Sequence, residues 1–185
     1  MGRKRSKLNI ILNILIWGIL FFIAFMFYRG ISFKPTDITS YADQDKDTIL
    51  STLDITVTPA PYMKDKIYEF TDKEISIERD DKTGFSVIYL DGEYAGIHFD
   101  SKQYSLFGLQ VGDAEISIHD QITYEYDRSF NVLDEVERGV SDALFFENHE
   151  DNTGLAVITN SATNCIVAIT YYTDMDEITK DLSPV

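Results

Sequence analysis

Apolar positions fall into two arrangements along this chain. Between Leu8 and Tyr28 no charged residue interrupts them, whereas farther on they alternate with polar residues in short stretches. A run of 21 residues, at about 1.5 Å per residue, makes a helix roughly 31 Å long, the hydrocarbon thickness of a bilayer. The pattern predicts a transmembrane helix over 8–28, a basic tail over 1–7 (Arg3, Lys4, Arg5 and Lys7) and a linker over 29–36 containing Pro35. Basic residues in front of the run place the tail in the cytoplasm and export the rest. A cleavable signal has a shorter apolar core of about 7–15 residues and ends at a small-x-small site. Phe25-Met26-Phe27-Tyr28-Arg29-Gly30 offers no such site, so an uncleaved single-pass signal-anchor is expected. Asn9 and Asn13 share one face of this helix with Trp17. Lying near the headgroups they need no partner helix, and oligomerisation through the anchor is the lesser reading.

Beyond the linker the alternation changes period. Thr48–Leu53, behind the acidic Asp43, Asp45 and Asp47, predicts a short helix with cap candidates at its start. Ile75 and Ile77 alternate with Glu74, Ser76 and Glu78; Phe85, Val87 and Tyr89 alternate likewise, and Tyr94–Phe99 completes a meander. Asp80–Gly84 and Asp91-Gly92 supply the turns. A helix or strand near Ala114–Ile122 and a helical piece near Asn131–Arg138 follow. Strands are then expected at Ser141–Glu147, Thr153–Thr159 and Asn164–Tyr172.

Part of this pattern occurs twice. Asp81-Lys82-Thr83-Gly84-Phe85-Ser86-Val87-Ile88 returns 70 residues later as Asp151-Asn152-Thr153-Gly154-Leu155-Ala156-Val157-Ile158, identical at five of eight positions. Ala95, Ile97 and Phe99 then match Val167, Ile169 and Tyr171. A period of that size points to duplication of a supersecondary unit. The expected fold class is α+β: an N-terminal transmembrane helix followed by two similar helix-plus-antiparallel-meander units. These occupy about 37–102 and 103–174 of a domain over 37–174, and an acidic tail over 175–185 closes the chain.

Composition adds sign and compartment. The chain carries a net charge of −15 at pH 7, and all 31 of its acidic residues lie after residue 30. Such a field repels nucleic acid and polyanions and favours cationic partners, though it also serves solubility alone. Cys165 is the only cysteine, so no intrachain disulfide exists; its apolar neighbours suggest a small buried hydrophobe. With neither disulfides nor glycan acceptors, an exported domain reads as bacterial.

Leu106-Phe107-Gly108-Leu109-Gln110-Val111-Gly112-Asp113 opens the second unit and a meander closes each unit. In this the region 36–174 resembles the tandem α/β repeats of β-lactamase-inhibitor-protein-like domains. It is similar, too, to the CAP-associated N-terminal domain of Firmicute surface proteins. The resemblance implies protein binding or an envelope role rather than a reaction. The glycine that the resemblance implies after the first helix is replaced here by Asp54.

Candidate chemistry is sparse. Asp43, Asp45, Asp47 and Asp54 fall at positions 1, 3, 5 and 12 of a calcium-type loop. Thr48 stands where such a loop needs glycine, and a helix from Thr48 would part the carboxylates, so a metal site is the lesser reading. The two Asp-x-Thr-Gly copies are turns rather than protease aspartates, which lack the inserted residue. His98, His119 and His149 are scattered; His98 is expected on the polar side of its strand. Tyr68, Phe70, Tyr124, Tyr126 and Phe130 lie among polar neighbours and are the binding candidates. Core packing is the commoner fate of such residues.

Together these features predict a non-catalytic protein-binding module, requiring no cofactor, anchored in the bacterial cell membrane with its domain extracytoplasmic. The expected partner is another envelope or membrane protein, and nucleic acid is not expected. The alternative is a bitopic subunit that braces a larger membrane assembly.

Overall fold

The computed structural model describes residues 15–22, 34–66, 73–122, 125–133 and 140–174, with the backbone alone at 64–66, 125–133, 140 and 141. Two compact units result, Met1–Lys34 and Pro35–Val185. In the first, residues 15–22 form a helix whose side chains, Trp17 and Phe21 among them, are exposed. Among the described residues no helix is long and apolar enough to cross a membrane. This overturns the expected transmembrane helix and the single-pass, signal-anchored placement in a bacterial membrane derived from it. The rest of 8–28, and the tails 1–7 and 175–185, lie outside the described residues.

The second unit is mainly β. Its strands are β1 (Thr36–Asp37), β2 (Thr58–Pro59), β3 (Ile75–Asp80), β4 (Phe85–Leu90), β5 (Glu93–Phe99), β6 (Tyr104–Leu106), β7 (Leu109–Gln110), β8 (Glu125–Leu133), β9 (Val140–Asn148), β10 (Thr153–Asn160) and β11 (Cys165–Tyr172). Among the described residues of this unit, helix is confined to α1 (Lys46–Leu53), α2 (Ile118–Gln121) and short 3-10 turns. The expected α+β chain of two helix-plus-meander units is therefore corrected. Among the described residues one continuous eight-stranded sheet, ordered β2-β3-β4-β5-β11-β10-β9-β8, takes the place of side-by-side units, and β1-β6-β7 forms a small second sheet.

The reason is the junction between the halves. β5 and β11 pair antiparallel through Phe99 with Ile169, His98 with Thr170, Ile97 with Tyr171 and Gly96 with Tyr172. The register is symmetric about the His98–Thr170 pair, so the positions matched between the two sequence copies exchange partners. Each copy also carries a bulge at a matched position. Ala95 is the extra residue of β5 and Val167 the extra residue of β11. A bulge adds local twist, so both meanders bend where they approach the junction.

One core belongs to both halves. Ile49 of α1, Phe85, Ile97, Ile118 of α2, Phe146 and Tyr171 lie within a single buried cluster on one face of the sheet. Each such side chain, taken fully out of water, contributes about 1.5–3 kcal/mol. A second cluster, including Met63, Ile88, Phe145 and Tyr172, occupies the opposite face. With both faces covered, alternation no longer separates core from solvent.

Local chemistry fixes the ends of α1. The Asp45 carboxylate accepts hydrogen bonds from Thr48 N at 3.0 Å and Thr48 Oγ1 at 2.7 Å, capping free N–H groups at the helix start. At the other end Asp54, with φ 53° and ψ 44°, adopts the left-handed conformation, and its N–H is aimed at the Leu50 and Ser51 carbonyls. This is the work of a C-terminal glycine done by an L-residue at some steric cost. Asp54→Gly should raise stability by about 0.5–1 kcal/mol, measured as a higher urea midpoint with an unchanged slope.

Gly96 is constrained differently. A Cβ there would lie 2.0 Å from the Tyr171 carbonyl oxygen, so any side chain forces the β5–β11 junction apart. Gly96→Ala should cost about 3 kcal/mol in urea unfolding.

Candidate functional site

The four calcium candidates serve other ends. Asp45 caps α1, Asp54 closes it, and Asp47 lies in its first turn with its side chain 90 % exposed. Asp43 accepts a hydrogen bond from the Tyr171 hydroxyl. Asp45 and Asp54 therefore stand at opposite ends of an eight-residue helix, about 12 Å of rise apart. Among the described residues no three acidic, histidine or cysteine side chains converge on a point that could hold a metal.

Hydrogen-bonding chemistry concentrates in one row across the sheet. Successive register pairs run Thr58, Arg79, Ser86, His98, Thr170, Ala156, Phe145 and Arg128, one residue from each of the eight strands. Ser86, His98 and Thr170 are buried. His98 Nδ1 lies 2.9 Å from Thr170 Oγ1, and Arg79 donates to Ser86 Oγ at 3.1 Å. The Arg79 guanidinium also grips Asp100 through two bonds of 2.8 and 2.9 Å and donates to Asp81 at 3.0 Å. Burial works against its charge, but Asp100 and then Asp81 outweigh it and hold the Arg79 pKa above the ordinary value.

The motif Asp-x-Thr-Gly serves this grip. Gly84 has φ +73°, and a Cβ on it would meet the Asp100 carboxylate at 2.6 Å. In the second copy the positive φ moves to Asn152, at 54°, and Gly154 sits inside β10 between Tyr172 and Glu147. The two copies therefore turn differently despite their shared letters.

The histidine expectation needs correction at His98. It is 2 % exposed rather than on a solvated strand face, because the second face of the sheet is itself buried. His119 is exposed and meets the Phe146 ring edge-on at 5.6 Å, and His149 Nδ1 lies 3.1 Å from Glu147. Cys165 is half-buried at the start of β11, its thiol 3.4 Å from the Thr163 carbonyl. A cleft of about 340 Å³ opens near α1, lined by Asp43, Asp151, Thr153 and Thr173. Elsewhere in the sheet, burial, then the charges of Asp43 and Asp45, push the Tyr94 phenol well above its usual range.

The aromatic candidates divide. Tyr68, Phe70 and Tyr124 lie outside the described residues; Tyr126 and Phe130 lie on β8, whose backbone alone is described. β8 is the terminal strand of the sheet. Tyr126 stands opposite Phe146 and Phe130 opposite Ala143, with a bulge between Tyr126 and Arg128. The bulge sets the two positions on opposite faces, so they do not form one patch. The element that unites them is the sheet margin, which the sequence pattern missed. Residues 131–133, expected to begin a helix, are strand, and 134–139 lie outside the described residues.

The two margins are unlike. β2 has two residues, of which Pro59 brings no N–H. β8 has nine, with neither proline nor glycine. Alternate N–H and C=O groups of a terminal strand point away from its neighbour and invite another strand.

No family model, curated protein or solved structure matches this chain.

The divergence of the four carboxylates sets one expectation. Titrating calcium to millimolar levels into the full chain should release no binding heat by calorimetry; a saturable signal lost in Asp45→Asn contradicts this geometry.

Proposed function

We propose that this chain is a protein-binding module without catalytic activity, and that the β8 margin is its contact surface. One observation carries the reading: the large sheet ends in a nine-residue strand that, among the described residues, pairs on one side only. Two of the described side chains capable of chemistry, Ser86 and His98, are engaged structurally, which supports a non-catalytic role. Ser86 is buried under Arg79, and His98 is held at the centre of the sheet. The net charge of −15 directs the module away from nucleic acid and towards protein. The resemblance to β-lactamase-inhibitor-protein-like domains, which are associated with protein binding, points the same way.

A photoreactive phenylalanine analogue at Phe130, activated in intact cells and followed by mass spectrometry, tests the surface. Protein adducts are expected at position 130 and absent when the same analogue replaces the exposed Glu93. Adducts to lipid or glycan alone, or equal labelling at both positions, overturn the reading.

A further inference from the structure

The β8 margin is divided along its length. Glu125, Asp127 and Arg128 place three charges in its first four residues, and the bulge falls among them. Charges and bulges are devices that discourage pairing at a sheet edge. Ser129-Phe130-Asn131-Val132-Leu133 carries no charge, proline, glycine or register shift. The second half of β8 therefore has the character of a strand that receives a partner.

We propose that the partner is a second copy of this chain, with the two β8 strands antiparallel about a twofold axis at Asn131. This rests on the binding reading above and names its partner. A continuous sheet with a twofold axis normal to it pairs only positions on the same face, so the axis passes through a residue. An axis at Asp127 or Arg128 would oppose two like charges and place the bulges in the seam. An axis at Asn131 pairs Ser129 with Leu133 and Phe130 with Val132, each twice, and keeps every formal charge outside the five paired positions. An aromatic opposite a β-branched residue is a favourable cross-strand pair. A basic strand, which the net charge would otherwise favour, finds no carboxylate position in this stretch. The chain already joins its own halves this way, through four antiparallel rungs between β5 and β11, and the proposed seam has five.

The purified full chain should sediment as a dimer in analytical ultracentrifugation. More salt should strengthen the dimer, because screening relieves repulsion between two chains of net charge −15. Val132→Pro should lose the dimer while keeping the far-ultraviolet spectrum of the folded protein. In a Cys165→Ser background, Asn131→Cys should form an intermolecular disulfide under mild oxidation. Opposed strand positions lie about 4.5–5.5 Å apart at Cα, within disulfide reach. Ser129→Cys should not, since it faces Leu133. A monomer at all concentrations, a dimer that persists in Val132→Pro, or equal crosslinking of both cysteine variants overturns the proposal. A monomeric chain whose position 130 still captures a different protein removes this inference and leaves the binding reading standing. A monomer with no protein adduct removes both.

Discussion

The four rungs between β5 and β11 are the constraint on which the rest of this structure depends. They join two meanders into a single sheet and bring the Tyr171 carbonyl so close to Gly96 that no side chain fits between them. The core then forms across the junction rather than within each half: Phe85 and Ile97 share a cluster with Leu155 and Tyr171. Two stretches of similar sequence thus contribute to one shared core.

Symmetry in the backbone has not kept the chemistry symmetric. In the row through His98 and Thr170 the first half places Ser86 and Arg79, and the second half places Ala156 and Phe145. One flank is secured by a guanidinium held between carboxylates, the other by a buried aromatic ring. Ion pairing depends on geometry and desolvation, while aromatic packing depends on area. The first flank consequently spends its polar groups on structure, with Asp100 occupying the space that Gly84 leaves open.

Much of the strand pattern was legible from alternation alone. The positions of β3, β4, β5, β9, β10 and β11 follow from residues such as Ile75, Val87, Ile97 and Ile169, and the acidic cluster holds the helix cap, Asp45, although the helix begins at Lys46 rather than at Thr48. β8 was not legible, because Glu125, Asp127 and Arg128 interrupt the apolar period and the bulge shifts its phase. His98 was misplaced for a different reason. Alternation assigns residues to two faces, but whether the second face meets water depends on what packs there. Of the candidate site, the sequence supplied the aromatic identities of Tyr126 and Phe130; their place on a sheet margin is a property of strand order, which no local pattern encodes.

The contrast between the two margins limits how far any sheet-to-sheet assembly extends. Among the described residues of the large sheet, Pro59 makes the two-residue β2 a poor template for a neighbour, so the proposed addition through β8 would use the longer of its two margins. Isologous contact of that kind closes on itself instead of propagating. In the proposed pair, an imino acid at the far end would act as a terminator, separating a finite pair from a growing fibre.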